Sequence, residues 1–201
     1  MKLYYSPGAC SMAPHIVANE TGTPVDLVKV DIPNKKTEHG EDYWAINPKG
    51  YVPALQLDDG SVLTEVGVIC QYLADQKPDT GLAAKAGSIE RYRQMEALNF
   101  VATEVHKQLG ALFNPKVTPE MREVQMGVIE RRLNPLDKAL GSKPFMTGDA
   151  FTAADAYLFT VINWTRPLKI DLAKWPNIQA FVGRVAARPK VQATLKAEGL
   201  V

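Results

Sequence analysis

Over residues 1–75 the hydrophobic positions come in short runs broken by Pro and Gly, and those breaks predict where each element ends. Residues 2–5 are β-prone and stop at Ser6-Pro7-Gly8. From 11 to 21 the spacing turns helical, with Gly22 in place as a C-terminal cap. Residues 25–30 alternate apolar with polar side chains and predict a second strand, while the polar stretch 33–40 predicts a loop. Residues 53–57 and 62–63, separated by Asp58-Asp59-Gly60, predict two strands joined by a tight turn. A helix over 65–75 follows, with Val66, Ile69 and Leu73 on one face. The order β-α-β, a connection, then β-β-α is thioredoxin-like.

Beyond 76–87, where Pro78, two glycines and small residues make a linker composition, the pattern changes to long helices with no strand. The longest covers 89–112, with Leu98, Val101, Ala102, Val105, Leu109 and Leu112 at helical spacing. A second covers 119–140. A third opens at Phe151-Thr152-Ala153-Ala154-Asp155, where Thr152 and Asp155 fit a capping box, and 176–185 and 189–197 complete the set. The chain therefore divides into an α/β thioredoxin-like domain over 1–80 and an all-α helical bundle over 88–201.

Composition narrows the function classes. The chain has 201 residues, 46% hydrophobic and 22% charged, which is the balance of a folded globular protein. Twenty-three Lys and Arg against 22 Asp and Glu leave a net charge of +1, without the basic excess of a nucleic-acid binder. No run approaches the roughly 20 apolar residues of a membrane span. Two cysteines and three scattered histidines give neither a disulfide framework nor metal-ligand spacing, so no metal is expected. Pro7 and Gly8 interrupt any signal-peptide run, and the expected setting is a reducing cytoplasm.

Four places carry candidate chemistry. Cys10 follows a strand and a Pro-Gly turn and precedes a helix, where free N–H groups favour a thiolate and a lowered pKa. The bland alternative is a small buried hydrophobe. Position 13 is Ala, so a redox cycle at Cys10 would lack an internal resolving thiol. Cys70, in mid-helix, reads as core. Val52-Pro53 opens a strand, and a cis bond there would free the Val52 backbone to pair with a bound peptide. Glu65 starts a helix, either as a first-turn acid complementing the dipole or as a carboxylate for an ammonium group. Asn99, Thr103, His106 and Lys107 share the polar side of the long helix, a face that is solvated in most helices.

Taken together, MKLYYSPGACSMAPHI, INPKGYVPALQLDDG, EVHK and FTAADAYLF resemble the bacterial beta-class cytosolic glutathione S-transferases over essentially the whole chain. The resemblance implies glutathione as co-substrate, no separate cofactor, and a homodimer without nucleic-acid or membrane partners. It implies that Cys10 contacts the glutathione sulfur and that Lys35 meets the glycine carboxylate. Val52 would pair with the cysteinyl backbone, and Glu65 and Val66 would grip the γ-glutamyl head. Asn99, Thr103, Glu104, Val105, His106 and Lys107 would come from the helical domain, some of Asn99 and the 103–106 run reaching across the dimer interface, with Cys10 and His106 catalytic. Trp164 would border the acceptor pocket, although an aromatic in a helix is more often core. Position 66 departs from the family's usual Ser or Gly: Val66 lacks a hydroxyl and brings a branched side chain to the head-group site, next to the small Gly67.

The implied function is conjugation of the glutathione thiolate to small apolar electrophiles. Two alternatives stand beside it: a glutathione-dependent thiol oxidoreductase or reductive dehalogenase working through a Cys10 mixed disulfide, and a non-enzymatic protein that sequesters apolar ligands.

Overall fold

The computed structural model describes all 201 residues. Five strands, β1 (Lys2–Tyr5), β2 (Asp26–Asp31), β3 (Lys36–Thr37), β4 (Ala54–Gln56) and β5 (Val62–Thr64), form one sheet in the order β3-β2-β1-β4-β5. β1 pairs in parallel with β2, and every other pair is antiparallel. The parallel pair needs a crossover, which α1 (Met12–Thr21) supplies. Gly22 ends that helix in the left-handed conformation (φ 67°), where a residue without Cβ is favoured. Two short elements lie where only loop was expected: β3, and α2 (Tyr43–Ile46), capped by Asp42. A two-residue strand and a single helical turn are too short for periodicity to reveal.

On one side of the sheet Leu3 and Leu55 point toward α1 and α3 (Val66–Asp75). On the other, Tyr4, Val28, Val30, Tyr43, Val52 and Ala54 make a small separate cluster. The helical part contains α4 (Ile89–Phe100), α5 (Lys107–Ala111), α6 (Pro119–Leu140), α7 (Ala153–Ile162), α8 (Pro176–Ala186) and α9 (Pro189–Ala197). No helix is long and apolar enough to cross a membrane. Between α4 and α5 the chain runs on as a π-helical segment, Val101–His106. What the sequence predicts as one α-helix over 89–112 is thus continuous but locally widened, a feature that side-chain periodicity does not distinguish.

All ten residues of α7 are buried, and the helix packs against α1, α3, α4 and α8. The thioredoxin-like and helical parts consequently share one hydrophobic core, which runs from Leu3 through Leu73 and Leu158 to Leu195. The N-terminus of α7 ends inside that core, where its free N–H groups have no water to turn to. The capping box satisfies them: Asp155 accepts from the Thr152 N–H and hydroxyl, both at 2.8 Å, and also from the Met146 N–H at 2.8 Å. Burial pushes the Asp155 carboxyl above its usual range despite those three donors.

Asp155→Ala leaves buried N–H groups unpaired as well as removing a cap, so unfolding free energy should fall by about 2 kcal/mol or more. Asp155→Asn, which keeps one acceptor oxygen, should lose less. Equal denaturation midpoints for wild type and Asp155→Ala would contradict this account of α7.

Candidate active site

The turn before α1 is built on its own polar groups. Ser11 accepts from the Ser6 N–H at 3.1 Å and donates to the Ser6 carbonyl at 3.2 Å, closing residues 6–11 into a rigid loop. Gly8, at φ 71°, is held from the helical side: its N–H donates to Glu198 at 2.8 Å and its carbonyl accepts from the Trp164 indole at 2.9 Å. The same Glu198 bonds the buried His15 of α1 at 2.8 Å. Cys10 therefore sits on a loop whose position is dictated by both domains.

The Cys10 thiol donates to the Val52 carbonyl at 3.2 Å. The Val52-Pro53 bond is cis, and the Val52 N–H lies outside the sheet's hydrogen-bond ladder. The expected thiolate is not what the site favours. Burial pushes the Cys10 thiol up to about 12, outweighing the backbone N–H groups of Cys10 and Ser11 and the Lys107 charge. Helix α1 begins only at Met12, so Cys10 lies ahead of the helix rather than in its first turn.

At the start of α3, Glu65 adopts φ 73°, a conformation that few residues other than glycine accept. That backbone turn directs its side chain, 60% exposed, away from the helix, where it pairs with Lys49 at 2.7 Å. Lys49 also donates to the Thr64 hydroxyl at 2.9 Å. Glu65 is thus not a dipole-complementing acid. Its carboxylate is already engaged with an ammonium, and Lys49 is a residue that sequence reasoning passed over. Val66 turns its side chain into the core (6% exposed), so it does not crowd the surface in front of α3. The first N–H groups of that helix, on Val66 and Gly67, have no carbonyl one turn back to bond.

These pieces meet across an interdomain cleft of about 950 Å³, within the range of small-molecule sites. Cys10, Val52, Glu65 and Val66 line one wall, and Asn99, Thr103, His106 and Lys107 line the other. His106 is neutral: burial and the neighbouring Lys107 hold its pKa down to about 4. Its Nδ1 is hydrogen-bonded to the Tyr157 hydroxyl, and its ring stands edge-on to Trp164 at 4.8 Å. Tyr157 also lines the cleft but carries no signal in the sequence, since an aromatic in an apolar helix reads as core.

Four expected site residues do not line this cleft. The Lys35 ammonium is bonded to the Gly50 carbonyl and lies over the Trp44 ring, two residues from Val52 but outside the cleft wall. Glu104 pairs with Arg132 of α6, and Val105 is 1% exposed in the core, because the helix turns both away from the cleft. Trp164 is buried behind His106 with its indole N–H spent on Gly8, so it supports the site from the rear rather than bordering a pocket.

Residues 3–81 match the family model for the glutathione S-transferase N-terminal domain, and residues 100–189 match that for the C-terminal domain. The chain is 48% identical over 200 residues to glutathione S-transferase GstA of Escherichia coli O157:H7, covering all of both chains. Among solved structures it superposes on the bacterial beta-class glutathione S-transferase of Sphingomonas chungbukensis with a TM-score of 0.96 at 47% identity, over the full length of each. It superposes equally well (TM-score 0.96, 46% identity, full coverage of both) on a sphingomonad glutathione S-transferase complexed with glutathione. With its sheet, its helical partner and the cleft between them matching over the whole chain, this protein belongs to the glutathione S-transferase family and resembles the bacterial beta class.

Proposed function

We propose that the chain binds glutathione across the interdomain cleft and adds its thiolate to small apolar electrophiles, acting in the cytoplasm as a homodimer. One observation carries the reading: a backbone edge outside the sheet ladder, at Val52, lies 3.2 Å from a cysteine sulfur, in a cleft bounded by a carboxylate and a lysine. A tripeptide with a central thiol and a zwitterionic head has the matching groups. Val52 would pair with its cysteinyl backbone. The Val66 and Gly67 N–H groups would take the γ-glutamyl carboxylate, and Glu65 its ammonium, displacing Lys49. Lys35 would meet the glycine carboxylate, a role supported by its hold on Gly50 just ahead of Val52.

The ionisation states support a division of roles around the glutathione sulfur. A neutral His106 is a hydrogen-bond donor, and Lys107 adds positive charge, while the Cys10 proton is held by the Val52 carbonyl. Such groups stabilise a glutathione thiolate without competing for its proton. Conjugation then forms a carbon–sulfur bond as the electrophile expels its leaving group or accepts the new electron pair. A second reading draws on the same contact: a glutathione sulfur lying against Val52 is within reach of Cys10. Attack by the Cys10 thiolate on oxidised glutathione would form a mixed disulfide and release one glutathione thiolate, with Ala13 leaving no internal thiol to resolve it. A turnover screen with glutathione and aryl halides, set against mixed disulfides, separates the two.

The homodimer is supported by an apolar strip of Val68, Ile89, Tyr92 and Met95, each at least 42% exposed, along α3 and α4. Sedimentation at micromolar concentration should give a dimer, and the double variant Tyr92→Glu, Met95→Glu should give a monomer. A wild-type monomer refutes the assembly.

Glu65→Ala should weaken glutathione binding about tenfold, equivalent to about 1.4 kcal/mol, because one charge-assisted hydrogen bond is lost from a solvent-screened position. The exposed control Glu123→Ala should leave the dissociation constant unchanged in calorimetry. Equal effects in both would remove Glu65 from the site.

Alkylation of Cys10 in the ligand-free protein should accelerate about tenfold per pH unit from pH 6 to 9 without levelling off, since the thiolate fraction keeps rising below a pKa of about 12. A plateau below pH 8.5, read by mass spectrometry of the Cys10 peptide, would show an activated thiolate instead.

A further inference from the structure

His106 faces the cleft with one ring nitrogen and the core with the other. Nδ1 is bonded to the Tyr157 hydroxyl, and Nε2 has no hydrogen-bond partner in the chain. A neutral imidazole carries one proton, and which nitrogen holds it decides whether the cleft meets a donor or an acceptor. Tyr157 settles this by elimination. Its side chain is 2% exposed, and its hydroxyl makes one hydrogen bond in the chain, to His106. Were the proton on Nδ1, that N–H would donate to the phenol oxygen, and the phenol proton would be buried with no acceptor. With Tyr157 as donor both groups are satisfied. The ring has little freedom to escape the choice: Trp164 stands edge-on at 4.8 Å, Tyr157 edge-on at 5.7 Å, and the widened turn at Val101–His106 fixes its backbone.

We propose that Tyr157 is a positioning residue that donates its hydroxyl to His106 Nδ1, locks the ring proton on Nε2, and so makes His106 a hydrogen-bond donor to the substrate sulfur rather than a base. The donor role toward sulfur rests on the glutathione reading above, whereas the tautomer does not. The groups facing the ring are the Cys10 thiol, the Lys107 ammonium on the same helix and the Glu65 carboxylate across the cleft, and none competes for Nδ1. Burial and Lys107 together keep the ring from taking a second proton near neutrality, consistent with a donor that never becomes an acid–base catalyst.

The test compares wild type with Tyr157→Phe, which keeps the ring and removes the oxygen. Nitrogen-15 NMR of the ligand-free proteins, with the His106 signals assigned through His106→Gln, should show an Nε2-protonated ring in wild type and a mixture of tautomers in Tyr157→Phe. In aryl-halide conjugation, the acid limb of the kcat profile should move up by about half to one pH unit in Tyr157→Phe, with KM for glutathione changed less than twofold. In a His106→Gln background the Tyr157→Phe change should add nothing, which separates tautomer control from loss of packing. An Nδ1-protonated wild-type ring, or a tautomer unchanged by Tyr157→Phe, overturns the proposal. An NMR shift without a kinetic one retains the tautomer assignment and overturns the donor role toward sulfur. Absence of any turnover in wild type would count against the glutathione reading while the NMR comparison still decides the tautomer.

Discussion

A helix with no solvent-facing side is the constraint from which the rest of this molecule follows. Because every residue of α7 is buried, its N-terminal N–H groups must be answered by the protein, and Asp155 with Thr152 answers them. The same carboxylate reaches back to Met146, so the loop before the helix is set by the cap as well. Once α7 is placed, α1 and α3 pack on it from the sheet side and α4 and α8 from the other, and two architectures become one core. A boundary between domains exists here in sequence pattern more than in packing.

That shared core explains how the cleft is held. Cys10 belongs to the thioredoxin-like part, yet the loop bearing it is fastened by Glu198 and Trp164 from the helical part, through the two polar groups of a single glycine. The positive φ of Gly8 disfavours a side chain there, while the space beside it toward Leu200 would accept a Cβ at ordinary contact distance. Trp164 links both walls: its indole edge holds Gly8, and its face confines His106. A large aromatic outside the cleft thereby governs the geometry inside it.

What the sequence made legible, and what it hid, divides along physical lines. The succession of strands and helices along the chain, the caps at Gly22 and Thr152-Asp155, and the long helices were readable because periodicity and capping are local. Family motifs grouped Cys10, Val52, Glu65, Asn99, Thr103, His106 and Lys107, which the fold brings to one cleft; spacing alone placed each beside a bland alternative. The hidden parts depend on distance in space. Lys49 meets Glu65 only because Glu65 takes a backbone conformation unusual for its type, which nothing in the surrounding residues announces. Tyr157 meets His106 across 51 positions of sequence. Glu104 and Val105 belong to a run expected in part to reach across a dimer interface, and in this chain they face away from its own cleft.

At Cys10 the local pattern and the enclosed fold push the thiol in opposite directions. Placing a thiol ahead of a helix suggests an anion, because the dipole is the one electrostatic term that sequence reveals. The cost of removing the sulfur from water is invisible until the fold encloses it, and at this site that cost dominates. The consequence reaches beyond one residue. Burial pushes the Cys10 thiol up and holds the His106 ring neutral, so neither brings a charge to the cleft, and Lys107 supplies the nearby positive one. Near the sulfur the cleft offers a neutral imidazole and the Lys107 cation, while its carboxylate, Glu65, stands on the opposite wall from His106. In such a low-dielectric setting burial opposes a charge on the protein's own sulfur, and an anion entering the cleft meets the Lys107 charge at short range.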